Sequence, residues 1–291
     1  MTAGAGHPPV AISAVVITKD AAARLAEVLA AVDCCAERLV LDSGSTDDTL
    51  AIARAAGARV AEQPFLGYGP QKRRAVELAA HDWILAVDAD EVFDAEAREA
   101  VRTADLADPA ACYAFRRRTF VGGREVRHGA WSDDRVLRLF NRRTAAFKPL
   151  PVHEEVASER PPTLLPGSIL HYSYASCADV LARSLRYAPL KAAIMRGKGQ
   201  RASLAMLPIR GGTAFLKNYL LRGGWRDGAA GFVVALARAI DSTLPRAMLL
   251  EGERLPDPAA YGQVAERRAA SIASRSAGSG AESVSRSPDA G

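Results

Sequence analysis

Two aspartates one residue apart, Asp88 and Asp90, follow the apolar run Trp83-Ile84-Leu85-Ala86-Val87. A near-continuous apolar run of this length reads as a strand buried on both faces of a parallel sheet. Ligands of open α/β sheets bind at the carboxyl ends of such strands. Paired carboxylates there can hold a hard divalent cation, Mg2+ or Mn2+, against phosphate oxygens. Asp-x-Asp alone is a weak signal, because any acidic turn can contain it. Two more polar loops strengthen it: Thr18-Lys19-Asp20 after one apolar run, and Asp42-Ser43-Gly44-Ser45-Thr46-Asp47 after another. Glycine lets backbone approach a ligand closely, and the short polar side chains offer hydrogen-bonding groups to a base or ribose. One pocket at one sheet edge is the simplest account of all three loops.

The elements that must position these loops alternate in type over the first hundred residues. Ala11 to Ile17 reads as a strand, and Leu25, Val28, Leu29 and Val32 then mark one helix face. Arg38 to Asp42 and Ala58 to Ala61 read as short strands. Between them a helix opens at Asp47-Asp48-Thr49, with acids at its positive end, and closes at Gly57. Lys72 to Ala80 is a further helix before the aspartate-bearing strand. The alternation predicts an α/β fold with a mostly parallel sheet and helices on both faces. Beyond Phe93 the rhythm changes: Cys112 to Phe120 and Val136 to Phe140 read as strands around a loop from Gly122 to Asp134. Prolines 149, 151, 161, 162 and 166 predict an irregular stretch, and helical patterning returns from Ser176 to about Glu251. The expected division is 10–175 for the α/β unit, 176–251 for a basic helical region, and 267–291 for a disordered tail.

Composition narrows the class. At 291 residues and 49% hydrophobic, the chain can bury a large core, which excludes wholesale disorder. Four cysteines, Cys34, Cys35, Cys112 and Cys177, lack metal or disulfide spacing and read as reduced cytoplasmic thiols. No charged leader with an apolar stretch opens the chain, so a cytoplasmic location is expected. Charge is unevenly placed. Residues 176–250 hold 12 Lys and Arg against 3 Asp and Glu, a local +9, which leaves −4 elsewhere from the total of +5. The run from Gly228 to Ala237 falls well short of the ~20 residues that a bilayer requires. Two readings of this segment stand: a surface for the anionic inner membrane, or a helical subdomain with solvated basic faces.

Thr18-Lys19-Asp20, Val40-Leu41-Asp42-Ser43-Gly44-Ser45-Thr46-Asp47 and Asp88-Ala89-Asp90 resemble, in order and spacing, the nucleotide-sugar half of glycosyltransferase family 2. Further on, Gly129-Ala130-Trp131-Ser132-Asp133-Asp134 through Arg138-Leu139-Phe140, then Val152-His153-Glu154 and His171-Tyr172-Ser173-Tyr174, resemble the bacterial lipopolysaccharide core β-glucosyltransferase branch. The likeness covers roughly residues 10 to 250. Two positions depart from it: Asp133, where proline is usual, and Asp20, where asparagine is common. The resemblance implies a GT-A fold and an inverting, metal-dependent hexose transfer from a nucleotide sugar, with UDP-glucose as the leading donor. Its acceptor would be lipopolysaccharide core or another lipid-linked sugar.

Roles then follow from the resemblance and the chemistry. A departing nucleoside diphosphate needs a cation to hold its growing charge. Asp90 is the first-choice ligand, with Asp88 reaching the ribose or a metal-bound water. Asp42 is expected at the ribose or base, with Thr18 and Asp20 in the same pocket. Lys72 and Arg73 would meet the nucleotide or its phosphates, or else form a solvated helix face. Inversion needs a base opposite the diphosphate. Glu154 is first for that role and Asp134 second; the alternative for His153-Glu154-Glu155 is an ordinary helix start. His171 would complete the metal shell or touch the diphosphate, or else is a packed core residue. Trp131 would stack on a sugar ring or fill core. Two competing functions remain. A sugar-1-phosphate nucleotidyltransferase would carry a glycine-rich loop after its first strand, and Thr18-Lys19-Asp20-Ala21-Ala22 has no glycine. A non-catalytic membrane or nucleic-acid binder would use the basic segment, but an acidic pocket repels polyanions, so nucleic acid is not expected as a partner.

Overall fold

The computed structural model describes residues 8–148, 155–252 and 255. The N-terminal half alternates as its apolar periodicity requires: β1 (Val10–Thr18), α1 (Leu25–Ala31), β2 (Cys35–Asp42), α2 (Thr49–Ala55), β3 (Arg59–Glu62), α3 (Tyr68–Leu78) and β4 (Trp83–Asp88). Then follow β5 (Glu91–Phe93), α4 (Ala95–Arg102), β6 (Cys112–Val121), β7 (Arg124–Val126), β8 (Asp134–Asn141), β9 (Ala145–Phe147), β10 (Val156–Ser158) and β11 (Thr163–Tyr174). Helices α5 (Cys177–Gly197), α6 (Met206–Leu216) and α7 (Gly228–Leu250) close the described chain.

Nine strands form one mixed sheet in the order β3-β2-β1-β4-β8-β6-β11-β5, with β7 beside β6. The first four are mutually parallel, and the chain leaves β1 in both directions, to β2 on one side and β4 on the other. Such a reversal opens a crevice at the strand ends. Register brings the strand ends level there, with Thr18 opposite Asp42 and Ile17 opposite Asp88. Alternate residues pack opposite faces. Ile12, Ala14, Val16, Leu85 and Val87 meet α1, α2 and α4, while Val15, Ile84 and Ala86 meet Ala75 and Ala79 near α3. Both faces are therefore covered, as the apolar runs predict. A third cluster, with Val121, Val126, Val180 and Val234, joins the sheet to α5 and α7.

Several segments differ from expectation. Helix α3 begins at Tyr68, four residues before Lys72. The glycine-rich loop contains β7, hairpinned onto β6, and a 3₁₀ turn at Gly129–Trp131. The proline-rich stretch yields β10 and the twelve-residue β11. Pro166 is tolerated because it falls where the register with β6 breaks, between Leu164 and Ser168. Gly167 follows it at φ +83°, and a Cβ there would lie 2.0 Å from the Ala97 backbone nitrogen, so only glycine lets β11 pass α4. Glu154 and the tail 267–291 lie outside the described residues.

A charged lattice crosses the sheet beneath its active edge. Arg138 on β8, 5% exposed, reaches Glu91 Oε1 on β5 at 2.5 Å and Asp88 Oδ2 on β4 at 2.7 Å. Asp88 Oδ1 lies 2.6 Å from Lys72 Nζ on α3. Arg117 on β6 sits between Glu91, at 3.4 Å, and Asp134, at 2.6 Å. Three cations thus alternate with three carboxylates, and Glu91 is fully buried among them. Removing one partner of such a pair leaves an uncompensated charge in the interior, whereas removing both relieves it. Arg138→Met is expected to cost about 3 kcal/mol. Adding Glu91→Gln to it is expected to restore a large part of the loss. Urea unfolding of the single and double variants checks this; wild-type stability in Arg138→Met would deny the pair its structural role.

Candidate active site

A cavity of about 650 Å³ opens at the carboxyl ends of β1, β2 and β4. Its floor is Ile17, Thr18, Ser43, Asp88 and Asp90; β11 contributes His171, Ser173 and Tyr174; α5 and α7 form the far wall. Six cationic side chains (Lys19, Lys72, Arg183, Arg186, Lys191 and Arg238) line it against three acids, Asp88, Asp90 and Asp241. A concave surface with that excess draws in a polyanion such as a diphosphate. The basic helical region thus turns part of its charge inward.

The two aspartates have separate work. Asp88 ends β4, and both of its oxygens are engaged by Lys72 and Arg138. Burial would raise its carboxyl pKa, but the charges of Lys72 and Arg138 outweigh that and hold it well below the ordinary carboxylate range. Both carboxylate oxygens are engaged by protein cations, and Asp88, expected at the ribose or a metal-bound water, lines the cavity. Its effect is to fix the Lys72 ammonium at the cavity wall. Arg73, expected to share that role, is exposed and does not line the cavity. Successive helix residues point about 100° apart, so Lys72 and Arg73 could not both face inward.

Asp90 lies past the strand end, in the turn before β5. Its Oδ2 accepts a hydrogen bond from Ser173 Oγ at 2.7 Å and lies 3.5 Å from His171 Nε2. Ser173 Oγ also contacts the same imidazole nitrogen. The two β11 residues reach Asp90 because β11 pairs antiparallel with β5, His171 opposite Glu91. Burial pushes the His171 pKa down against the opposing pull of Asp90 and Glu91, which favours the neutral imidazole that a metal requires. A carboxylate and an imidazole separated by more than a hydrogen bond, at a cavity wall, fit a divalent cation between them. Among the described residues no group of three or more His, Cys, Asp or Glu could hold a metal alone.

The loop residues act mostly on each other. Asp42 is fully buried and does not line the cavity. Its carboxylate accepts from Thr18 Oγ1 at 2.8 Å, from the Gly44 and Ser45 backbone N–H groups at 2.8 and 2.7 Å, and from Ser45 Oγ. Burial raises its pKa, yet these donors win and leave it lowered. Asp42 therefore shapes the loop that presents Ser43 to the cavity. Asp20 adopts φ +48°, a left-handed conformation that Asp and Asn tolerate better than other non-glycine residues. Its carboxylate accepts from the Thr46 N–H at 2.8 Å and so ties the first loop to the second. It too stands outside the cavity lining. Thr18 and Lys19 do line it.

Trp131 lines the cavity and stacks on Tyr174, ring centroids 5.2 Å apart at 10°, with the Arg183 guanidinium 4.6 Å above Tyr174. Tyr174 thus covers one face of the indole. Asp134, the second candidate base, lies outside the lining, and Arg117 Nε and Nη2 both donate to its Oδ2. Glu154 lies beyond the described residues. Glu91, Arg117, Arg138 and Ser173 organise the site but were given no role from sequence. The acid directly after Asp-x-Asp was the one available signal; Arg117 and Arg138 sit in arginine-rich strands where nothing distinguishes a buried guanidinium from a solvated one.

The family model described as Glycosyl transferase family 2 matches residues 13–160, which contain the three strand-end loops and the charged lattice. The lipopolysaccharide core biosynthesis glycosyltransferase LpsC of Rhizobium meliloti is 28% identical over 256 residues, 85% of this chain and 95% of that protein. An uncharacterized glycosyltransferase of Rickettsia felis is 30% identical over 253 residues, 82% and 89% of the two chains. Glucosyl-3-phosphoglycerate synthase from Mycobacterium tuberculosis, solved with Mn2+, UDP and glucosyl-3-phosphoglycerate, aligns at 25% identity over 38% of this chain and 44% of that one, TM-score 0.31, an overlap limited to part of each molecule. With the strand-end cavity, the family match and relatives aligned over most of its length, the chain belongs to glycosyl transferase family 2.

Proposed function

We propose that the chain is an inverting, metal-dependent transferase that moves a hexose from a UDP-sugar, UDP-glucose first among them, onto a lipopolysaccharide-core or other lipid-linked acceptor. The observation that carries the donor half is the meeting of Asp90 with His171 at a cavity whose lining is rich in cations. A bound Mg2+ or Mn2+ would supply electrostatic stabilisation to the leaving diphosphate. Asp90 and His171 are the residues proposed to hold it. Lys72, oriented by Asp88, places a positive charge for the phosphates without needing to reorganise. Thr18 and Ser43 offer hydroxyls at the nucleoside end, and the Trp131–Tyr174 stack offers an apolar wall to the sugar. Glu154 is the proposed base for the acceptor hydroxyl, since Asp134 is engaged by Arg117.

The acceptor half rests on the LpsC relative's printed description and on the helical region's surface. Helix α6 has no buried residue, and beyond it Leu221 is 84% and Trp225 54% exposed. Arg210 and Arg226 lie among these apolar residues. Exposed apolar side chains with a tryptophan and a basic rim suit a face seated in an anionic leaflet. No helix among the described residues is long and apolar enough to cross a membrane. The nucleotidyltransferase alternative gains no support from the family match.

Three outcomes test this reading. With UDP-glucose or another UDP-hexose and Mn2+, Asp90→Ala and His171→Ala are each expected to lower turnover about a hundredfold or more, and undiminished turnover in Asp90→Ala would refute the metal assignment. Glu154→Gln is expected to lower kcat about a hundredfold or more while leaving the KM for donor near wild type; a donor-binding defect instead would deny it the role of base. In flotation at low salt the chain is expected to rise with phosphatidylglycerol vesicles, and Leu221→Ser with Trp225→Ala to reduce the bound fraction. Wild-type protein left wholly in the bottom fraction would contradict the membrane-facing surface.

A further inference from the structure

Behind the main cavity lies a second one of about 460 Å³, sharing Lys191, Arg238 and Asp241 with it. Four cations line it, Lys191, Lys217, Arg222 and Arg238, and its one carboxylate is Asp241. Asp241 is 2.7 Å from Lys191 Nζ and 3.7 Å from Arg238 Nη1, and neither Lys217 nor Arg222 pairs with a carboxylate among the described residues. The pocket therefore keeps a surplus of positive charge that nothing in its own walls neutralises.

The backbone concentrates that charge by an uncommon turn. Lys217–Leu221 forms a π-helical turn, closed by the Arg222 N–H donating to the Lys217 carbonyl at 2.9 Å. In an α-helix of 3.6 residues per turn, side chains five apart diverge; the wider π turn brings Lys217 and Arg222 together over one pocket. Gly224 holds the turn in place, because a Cβ there would lie 2.8 Å from the Asn218 carbonyl oxygen. Asn218 itself is 7% exposed and lines the pocket. Its Nδ2 donates to the Ala214 carbonyl at 2.7 Å, which leaves Oδ1 buried without a partner. A buried, unpaired carbonyl oxygen is costly in a native fold unless something donates to it.

We propose that this pocket is an acceptor subsite for an anionic sugar: the four cations hold a phosphate or carboxylate carried by the acceptor, and Asn218 Oδ1 accepts a hydroxyl of the same residue. The inference rests on the proposed transfer and deepens it, because the subsite adjoins the donor cavity and shares Lys191, Arg238 and Asp241 with it. A hydroxyl donor satisfies the orphan oxygen, and the anion satisfies the surplus charge, so one acidic or phosphorylated sugar answers both features. It also separates two tasks within the basic region, with Lys72 and Asp90 serving the donor diphosphate and the π turn serving the acceptor.

The test uses the full chain saturated with UDP and Mn2+, so that the donor site is filled, and titrates glucose 6-phosphate, glucuronate and glucose by calorimetry. At least one charged sugar is expected to bind and neutral glucose not to; comparison of the two charged probes tells phosphate from carboxylate. Lys217→Ala combined with Arg222→Ala, both at exposed positions, is expected to weaken the charged sugar about tenfold or more while UDP affinity stays unchanged. Equal binding of glucose, wild-type affinity in the double variant, or no heat from either charged sugar would overturn the subsite. UDP titrated alone tests the donor reading separately. A chain that ignores UDP yet binds the charged sugars through Lys217 and Arg222 keeps the subsite and loses the proposed donor.

Discussion

Arg138 carries a charge it cannot shed into a position that water scarcely reaches. Its surroundings follow from that constraint. Glu91, wholly enclosed, and Asp88, at the cavity floor, pair with it, and Lys72 and Arg117 pair with those carboxylates in turn. The lattice joins α3 to four strands drawn from both the parallel and the mixed halves of the sheet. It also decides how the Asp-x-Asp pair divides its labour. Asp88 is drawn down into the protein's own cations, and Asp90, beyond the strand, is left facing Ser173 and His171.

The parallel half supplies the second constraint. Strands that run the same way end at the same edge, so polar residues after β1, β2 and β4 meet whether or not they are near in sequence. The mixed half then brings β11 against β5, which delivers His171 to Asp90 across eighty residues of chain. Helices α5 and α7 finish the enclosure, and their cations account for most of the cavity's positive excess. A family 2 transferase needs a place for a nucleotide sugar and a separate approach for the acceptor. The cavity at the strand ends is the place proposed for the first, and the helical region that proposed for the second.

Much of the fold was legible because its signals are local. Two-sided burial makes β1 and β4 mostly apolar, and α1 shows its buried face at helical spacing. The misses have equally physical causes. Helix α4 is short, and β10 and β11 hide among prolines whose tolerance depends on a register break that no local pattern encodes. Helix α3 begins at Tyr68 because the turn at Gly67 and Pro70 starts it there, ahead of the basic pair that marks it in sequence. Residues of all three strand-end loops line one cavity. What no local pattern encodes is that the carboxylates of Asp42 and Asp20 accept from backbone N–H groups and hydroxyls of neighbouring loops.

By itself, the order of residues determined the α/β alternation, the carboxyl-end position of Thr18, Asp42 and Asp88, and the excess of positive charge after residue 176. Those properties depend on side-chain periodicity and composition, which are written along the chain. Only the tertiary structure decided which of two neighbouring aspartates keeps a free face, that Lys72 points inward while Arg73 does not, and that a π turn aims Lys217 and Arg222 into a pocket. Each of these depends on what packs opposite, and a charge has no direction until the fold gives it a partner.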